Sequence, residues 1–195
     1  MPVVVVASKN PDKIREIEAV LLGLGLVDEI AQGIDWPDVE ETGTTIEENA
    51  LLKARAVASA TGLPSLADDT GLEVEALRGA PGVRSARFAG ASATYADNLR
   101  ALLAALGDRQ DRSATFRTVM ALILPDGGEI VAEGRLEGTI ISQPRGSSGF
   151  GYDPVFEVDG RTLAEMGSEE KNSLSHRGRA LRALAESLRR WESEH

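Results

Sequence analysis

Apolar residues alternate with polar ones in patterns that mark out most of the elements before any chemistry is considered. Val3–Ala7 is apolar on every position and rich in β-branched residues, as a strand buried on both faces requires, so a central strand is predicted there. A polar turn follows, and Pro11 suits a helix start. Ile14, Ile17, Leu21 and Leu24 then recur at helical spacing until Gly23 and Gly25 stop the run. A second helix is predicted from Thr45 to about Thr61, with Ile46, Ala50, Ala54 and Val57 as its apolar stripe and Gly62 and Pro64 at its end.

Leu66–Ala67 reads as a short strand leading into an acidic turn, Asp68–Gly71, followed by a strand over Leu72–Leu77. Residues 78–94 are rich in Gly, Ala and Ser and read as loop. Tyr95–Leu106 is a third helix, with Leu99, Leu102, Leu103 and Leu106 on one side. Ala114–Leu124 and Glu129–Leu136 flank Pro125-Asp-Gly-Gly128, the signature of a hairpin. Residues 142–154 form a glycine-dense loop, and an amphipathic helix begins near Ser175 with Leu181, Leu184, Leu188 and Trp191 inward. Strands interleaved with helices predict a mixed α/β protein.

Composition narrows the chemistry. The 195 residues suit one large domain or two lobes, at about 100–200 residues per domain. The net charge of −10 disfavours nucleic-acid binding, which asks for a basic face, yet a few clustered lysines still suffice for a small phosphate ligand. The absence of cysteine excludes disulfides, thiolate metal sites and cysteine nucleophiles. The apolar start lacks a basic flank, and no run of about 18 apolar residues occurs, so a cytoplasmic location without a membrane span is expected.

Four polar clusters stand at predicted element ends. Ser8-Lys-Asn-Pro-Asp-Lys13 lies between strand and helix, where backbone N–H groups and Lys13 could hold an anion. It lacks the glycines of a Walker A loop. Glu40-Glu-Thr-Gly43 precedes the second helix, on which Asn49 and Lys53 share a face. Asp68 and Asp69 are adjacent carboxylates, an arrangement that usually offers a cation, and magnesium takes one or two carboxylates plus phosphate and water. The fourth cluster is split between Phe150-Gly-Tyr-Asp153 and Lys171 with His176 and Arg177. Singly, each cluster also fits ordinary capping, a solvated turn or a packed aromatic loop.

Together, in order and spacing, these segments resemble the inosine triphosphate pyrophosphatase family. The resemblance runs from Val3 to the last helix and includes Gly79-Ala-Pro-Gly82 and Ser85-Ala-Arg87. It implies an elongated, curved mixed β-sheet flanked by helices, with two lobes and a central active-site cleft. On this reading residues 1–195 form one bilobal domain, and the protein is a homodimer. The implied activity is Mg2+-dependent hydrolysis of non-standard purine nucleoside triphosphates (ITP, dITP, XTP) to the monophosphate and pyrophosphate.

The implied triphosphate contacts are Ser8, Lys9, Asn10, Pro11, Asp12, Lys13 and Lys53, and Thr70 is implied to touch substrate. Glu41 and Asp69 are implied to bind Mg2+, with Glu40 the alternative, Asp68 supporting them and Asp69 serving as base toward the attacking water. Phe150, Gly151, Tyr152 and Asp153 are implied to frame the base, with Lys171, His176 and Arg177 reading its edge. Ser8 replaces a common Thr, keeping the hydroxyl, and Asp12 stands where Gly is common, putting a carboxylate near the phosphates. A septum-inhibition-type nucleotide pyrophosphatase and a non-catalytic nucleotide-binding module are the alternatives.

Overall fold

The computed structural model describes residues 3–194; Met1 and Pro2 of the apolar opening lie outside them. The element order is β1 (Val3–Val6), α1 (Pro11–Gly23), β2 (Glu29–Ile30), α2 (Ile46–Thr61), β3 (Ser65–Val74), β4 (Pro81–Gly82), α3 (Tyr95–Leu106), β5 (Ser113–Ile123), β6 (Glu129–Ile140), β7 (Phe156–Val158), β8 (Arg161–Thr162), α4 (Ser168–Leu174) and α5 (His176–Glu194).

The strands form one mixed sheet in the order β2-β1-β3-β5-β6-β7-β8, with β4 pairing β3. β1 is parallel to β2 and β3, while β7 is antiparallel to β6 and β8. The predicted interior place of β1 is thus realised, and Val4 and Val5 are fully buried. The expected mixed α/β class holds.

The chain divides into two compact units, one of residues 1–69, 118–134 and 176–195, the other of 70–117 and 135–175. In the first, Val4, Val6, Ile17, Leu21, Leu66 and Leu122 pack with Leu181, Leu184 and Leu188 of α5. In the second, Leu72, Leu102, Leu106, Phe116, Ile140 and Phe156 form the core. The Phe116 and Phe156 rings meet at 4.5 Å between centroids.

Local signals explain the helix bounds. Asn10 caps α1, its side chain accepting the N–H groups of Asp12 and Lys13, with Pro11 at the first helical position. Thr45 and Glu48 form a capping box on α2, and Thr94 and Asp97 form one on α3.

Three expectations change. The first strand piece and the Leu72–Val74 part of the second are one ten-residue strand, β3, so the acidic pair lies inside the sheet and not in a turn, while Glu75–Leu77 forms a 3-10 turn. The loop predicted over residues 78–94 contains β4 and a 3-10 turn, Ser85–Arg87, whose Ser85 hydroxyl accepts the Leu72 N–H. The second hairpin strand runs on to Ile140.

Candidate active site

In the first unit, the polar turn after β1 and the starts of α1, α2 and α5 surround the acidic pair of β3. Successive strand side chains leave on opposite faces, and Asp68 and Asp69 accordingly find different partners. The Asp68 Oδ2 atom lies 3.1 Å from Lys13 Nζ and accepts from Arg177 Nη2 at 3.1 Å. Asp69 Oδ1 lies 3.2 Å from Lys53 Nζ, which also reaches Glu41 Oε1 at 2.8 Å. Asn49 Nδ2 donates to Asp69 Oδ2 at 3.4 Å. Arg177 is completed by Glu16 of α1.

Four carboxylates, Glu16, Glu41, Asp68 and Asp69, therefore face three cations, Lys13, Lys53 and Arg177. The two aspartates titrate in opposite directions. Burial pushes the Asp68 carboxyl up, but Lys13, Arg177 and Lys53 outweigh it and hold the group far below the usual range. For Asp69, burial dominates over Lys53 and Lys13, and Glu41 and Asp68 add to it, so its pKa is raised. Burial would lower the pKa of Lys53, yet Asp69, Asp68 and Glu41 keep it raised and charged.

The rest of the first cluster is placed less uniformly. Asn10 Oδ1 accepts from the Asp12 and Lys13 N–H groups, so these amides are already bonded and Lys13 contributes through its ammonium. Asp12 pairs with Arg15 on the same helix, which answers the charge expected near the phosphates. Lys9 is exposed and pairs with Asp38, and Pro11 is exposed at the head of α1. The Ser8 hydroxyl accepts the Asn10 N–H at 3.2 Å. Glu40 is exposed, and Lys53 meets Glu41.

His176 and Arg177 open α5, both buried. His176 Nδ1 and Thr118 Oγ1 are 2.6 Å apart. Arg177 pairs with Asp68 and Glu16, so its guanidinium is engaged with the acidic cluster. Glu16, Asn49 and Thr118 were not singled out for the site from the sequence. Asn49 had a signal in its helical register with Lys53, whereas Glu16 and Thr118 had none.

In the second unit, Phe150, Gly151, Tyr152 and Asp153 form a tight turn. Asp153 Oδ2 accepts the Phe150 N–H at 2.8 Å and the Lys171 ammonium, and Lys171 and Asp153 are both buried. Gly149 has φ +73°, and a Cβ there would lie 2.1 Å from Asp153 Oδ2, so only glycine fits the turn. Lys171 Nζ lies 4.9 Å from the Phe150 ring centroid, and Tyr95 stands 5.7 Å from that ring. The Tyr152 hydroxyl donates to the Ser85 carbonyl at 2.8 Å, and burial pushes the phenol up, so this side chain anchors the turn. Thr70 follows Asp69 on β3 and is half-buried.

Residues 4–187 match the Ham1 family. The chain belongs to the Ham1 family. It is 50% identical over 192 residues to a dITP/XTP pyrophosphatase of Streptomyces coelicolor, covering 95% of this chain and 96% of that protein. It is 48% identical over 197 residues to the protein of that name from Pectobacterium atrosepticum, covering 97% of this chain and 99% of that one. A solved Ham1 protein from Coxiella burnetii superposes with a TM-score of 0.86 at 44% identity, covering 97% of this chain and all of that one. For the Ham1 protein of Staphylococcus aureus the TM-score is 0.84 at 39% identity, with 99% and 100% covered. The resemblance read from the ordered motifs is thereby borne out.

The two carboxylates that meet at Lys53 suit a hard divalent cation. Among the described residues no group of three or more His, Cys, Asp or Glu is placed so that it could hold a metal ion. A magnesium ion held by one or two carboxylates takes its remaining ligands from phosphate and water, so the donor set of Glu41 and Asp69 fits such an ion.

Proposed function

We propose that this Ham1-family chain hydrolyses non-standard purine nucleoside triphosphates, ITP, dITP and XTP, to the monophosphate and pyrophosphate. The observation that carries the reading is the meeting of Glu41 and Asp69 at Lys53, with Lys13 on the adjoining Asp68. Full-length relatives named dITP/XTP pyrophosphatase support it.

Glu41 and Asp69 would hold Mg2+, which when bound neutralises the phosphate oxygens. Asp69, whose raised pKa reflects burial and its acidic neighbours, accepts the proton of the attacking water. The water oxygen bonds to the α-phosphorus, the bond from that phosphorus to the bridging oxygen breaks, and pyrophosphate leaves with the electron pair. Lys13 and Lys53 stabilise the charge on the leaving group. Asp68 keeps Lys13 and Arg177 in place and stays ionised throughout.

Lys171 supplies the base selectivity. Its ion pair with buried Asp153 fixes it as a donor, and hypoxanthine and xanthine carry an acceptor oxygen at the 6-position. Adenine presents an amino donor there, which sets donor against donor and forfeits the hydrogen bond that the 6-oxo bases accept. A cytoplasmic homodimer belongs to the same reading, and light scattering at several protein concentrations tests the assembly.

The deciding experiment measures pyrophosphate release from ITP, XTP, dITP, GTP and ATP with and without Mg2+. Preference for ITP and XTP over ATP, lost on chelation, is expected. Equal efficiency with ATP and ITP overturns the reading.

A further inference from the structure

Asn49 is fully buried on α2 and polar at both ends of its amide. Its Oδ1 accepts the Gly43 N–H at 2.8 Å, and its Nδ2 donates to Asp69 Oδ2 at 3.4 Å. One amide thus spans the loop that carries Glu41 and the strand that carries Asp69. Gly43 is two residues beyond Glu41, so anchoring its N–H limits how far the Glu41 backbone can travel.

The two oxygens of Asp69 are divided between two α2 side chains one turn apart. Oδ1 faces Lys53 and Oδ2 faces Asn49. The two partners differ in stiffness. Lys53 reaches on a flexible four-carbon stem and re-aims readily. Asn49 has a short side chain buried against its partners and does not. Gly43 completes the joint, because a Cβ there would stand 2.5 Å from Asn49 Oδ1 and 2.8 Å from the Glu48 Cβ.

We propose that Asn49, seated against Gly43, is a positioning residue that sets the orientation of Asp69 and the distance between Asp69 and Glu41 for a divalent cation. The proposal rests on the reading of Glu41 and Asp69 as the metal-binding carboxylates. Removing a group that holds a metal ligand from behind typically costs about 10–100-fold in metal affinity or activity.

Asn49→Ala removes the amide, and Gly43→Ala pushes the loop off it while leaving the amide in place. Three readouts separate positioning from plain structural support. Circular dichroism and thermal unfolding report the fold. The Mg2+ concentration for half-maximal pyrophosphate release is compared with KM for ITP at saturating Mg2+. Mn2+ binding is followed by electron paramagnetic resonance with the α,β-imido analogue of ITP.

Both variants are expected to fold, to need roughly ten-fold or more Mg2+ and to bind Mn2+ more weakly by a similar factor, with KM for ITP little changed. Folded variants with wild-type Mn2+ affinity and Mg2+ dependence overturn the proposal. Should Asn49→Ala fail to fold, Gly43→Ala decides by the same readouts. A wild-type protein that releases no pyrophosphate, with variants that still bind Mn2+ less well, defeats the pyrophosphatase reading and leaves the positioning role standing.

Discussion

Asp68 and Asp69 are neighbours on β3, yet their carboxylates answer to different cations, Asp68 to Lys13 and Arg177, Asp69 to Lys53. The two-residue period of the strand separates them. Asp68 is locked into an ionised pair, and Asp69 is left as the aspartate whose protonation burial favours.

Asp69→Asn is expected to abolish most turnover, with a loss of about 10²-fold or more, the scale of a general base. The same variant should raise the melting temperature of the metal-free protein. The folded pKa of Asp69 lies above its unfolded value, so the folded state binds the extra proton and stability falls as pH rises through that window. The gap between variant and wild type should therefore open from about pH 4 toward neutrality and close in acid. Scanning calorimetry across pH checks this, and near-normal turnover would refute the base.

Asp68→Asn should act the other way on stability. Its folded pKa is depressed, so its contribution is present above the unfolded value and is lost as pH falls below about 4. Removing this carboxylate takes a buried acidic partner away from both Arg177 and Lys13. Breaking a buried pair costs about 3–5 kcal/mol, measurable by urea unfolding at pH 7. A variant as stable as wild type there would contradict the assignment.

Lys171→Met should blunt base discrimination. The variant keeps an apolar stem but loses the donor and the ammonium that neutralises buried Asp153. The ratio of kcat/KM for ITP over ATP is expected to fall by about ten-fold or more, equivalent to about 1.4 kcal/mol. An unchanged ratio would remove Lys171 from base recognition.

Gly149→Ala tests the turn without removing a charged group. The added Cβ meets Asp153 Oδ2 at 2.1 Å and the backbone φ of +73° disfavours it. KM for ITP should rise severalfold while the Mg2+ requirement stays put. Steady-state kinetics at fixed and varied Mg2+ separates the two effects.

Much of the framework was legible in local pattern. Uninterrupted Val residues marked β1, Pro11 and the helical spacing of Ile14, Ile17 and Leu21 marked α1, the stripe of Ile46, Ala50, Ala54 and Val57 marked α2, and Tyr95–Leu106 emerged as α3 with the same bounds. The two-residue strands β2, β4 and β8 and the three-residue β7 are too short to show a period, and their pairing partners make them strands. Within the candidate site, Lys13, Lys53, Asp68 and Asp69 announced themselves by type and position. Glu16 did not, because an acid on a helix face looks the same whether it meets water or Arg177.

The sequence by itself determined α1, α2, α3 and α5, the main strands and the family, since these rest on spacing, stop signals and ordered motifs within reach of a few residues. Only the tertiary structure decided that Asp68–Gly71 is strand and which cation each aspartate meets. Local pattern reads two adjacent acids as a solvent-facing turn because isolated charges do not stay buried. Lys13, Lys53 and Arg177 arrive from three helices far apart in the chain, and their charges are what let the acidic pair remain inside the sheet.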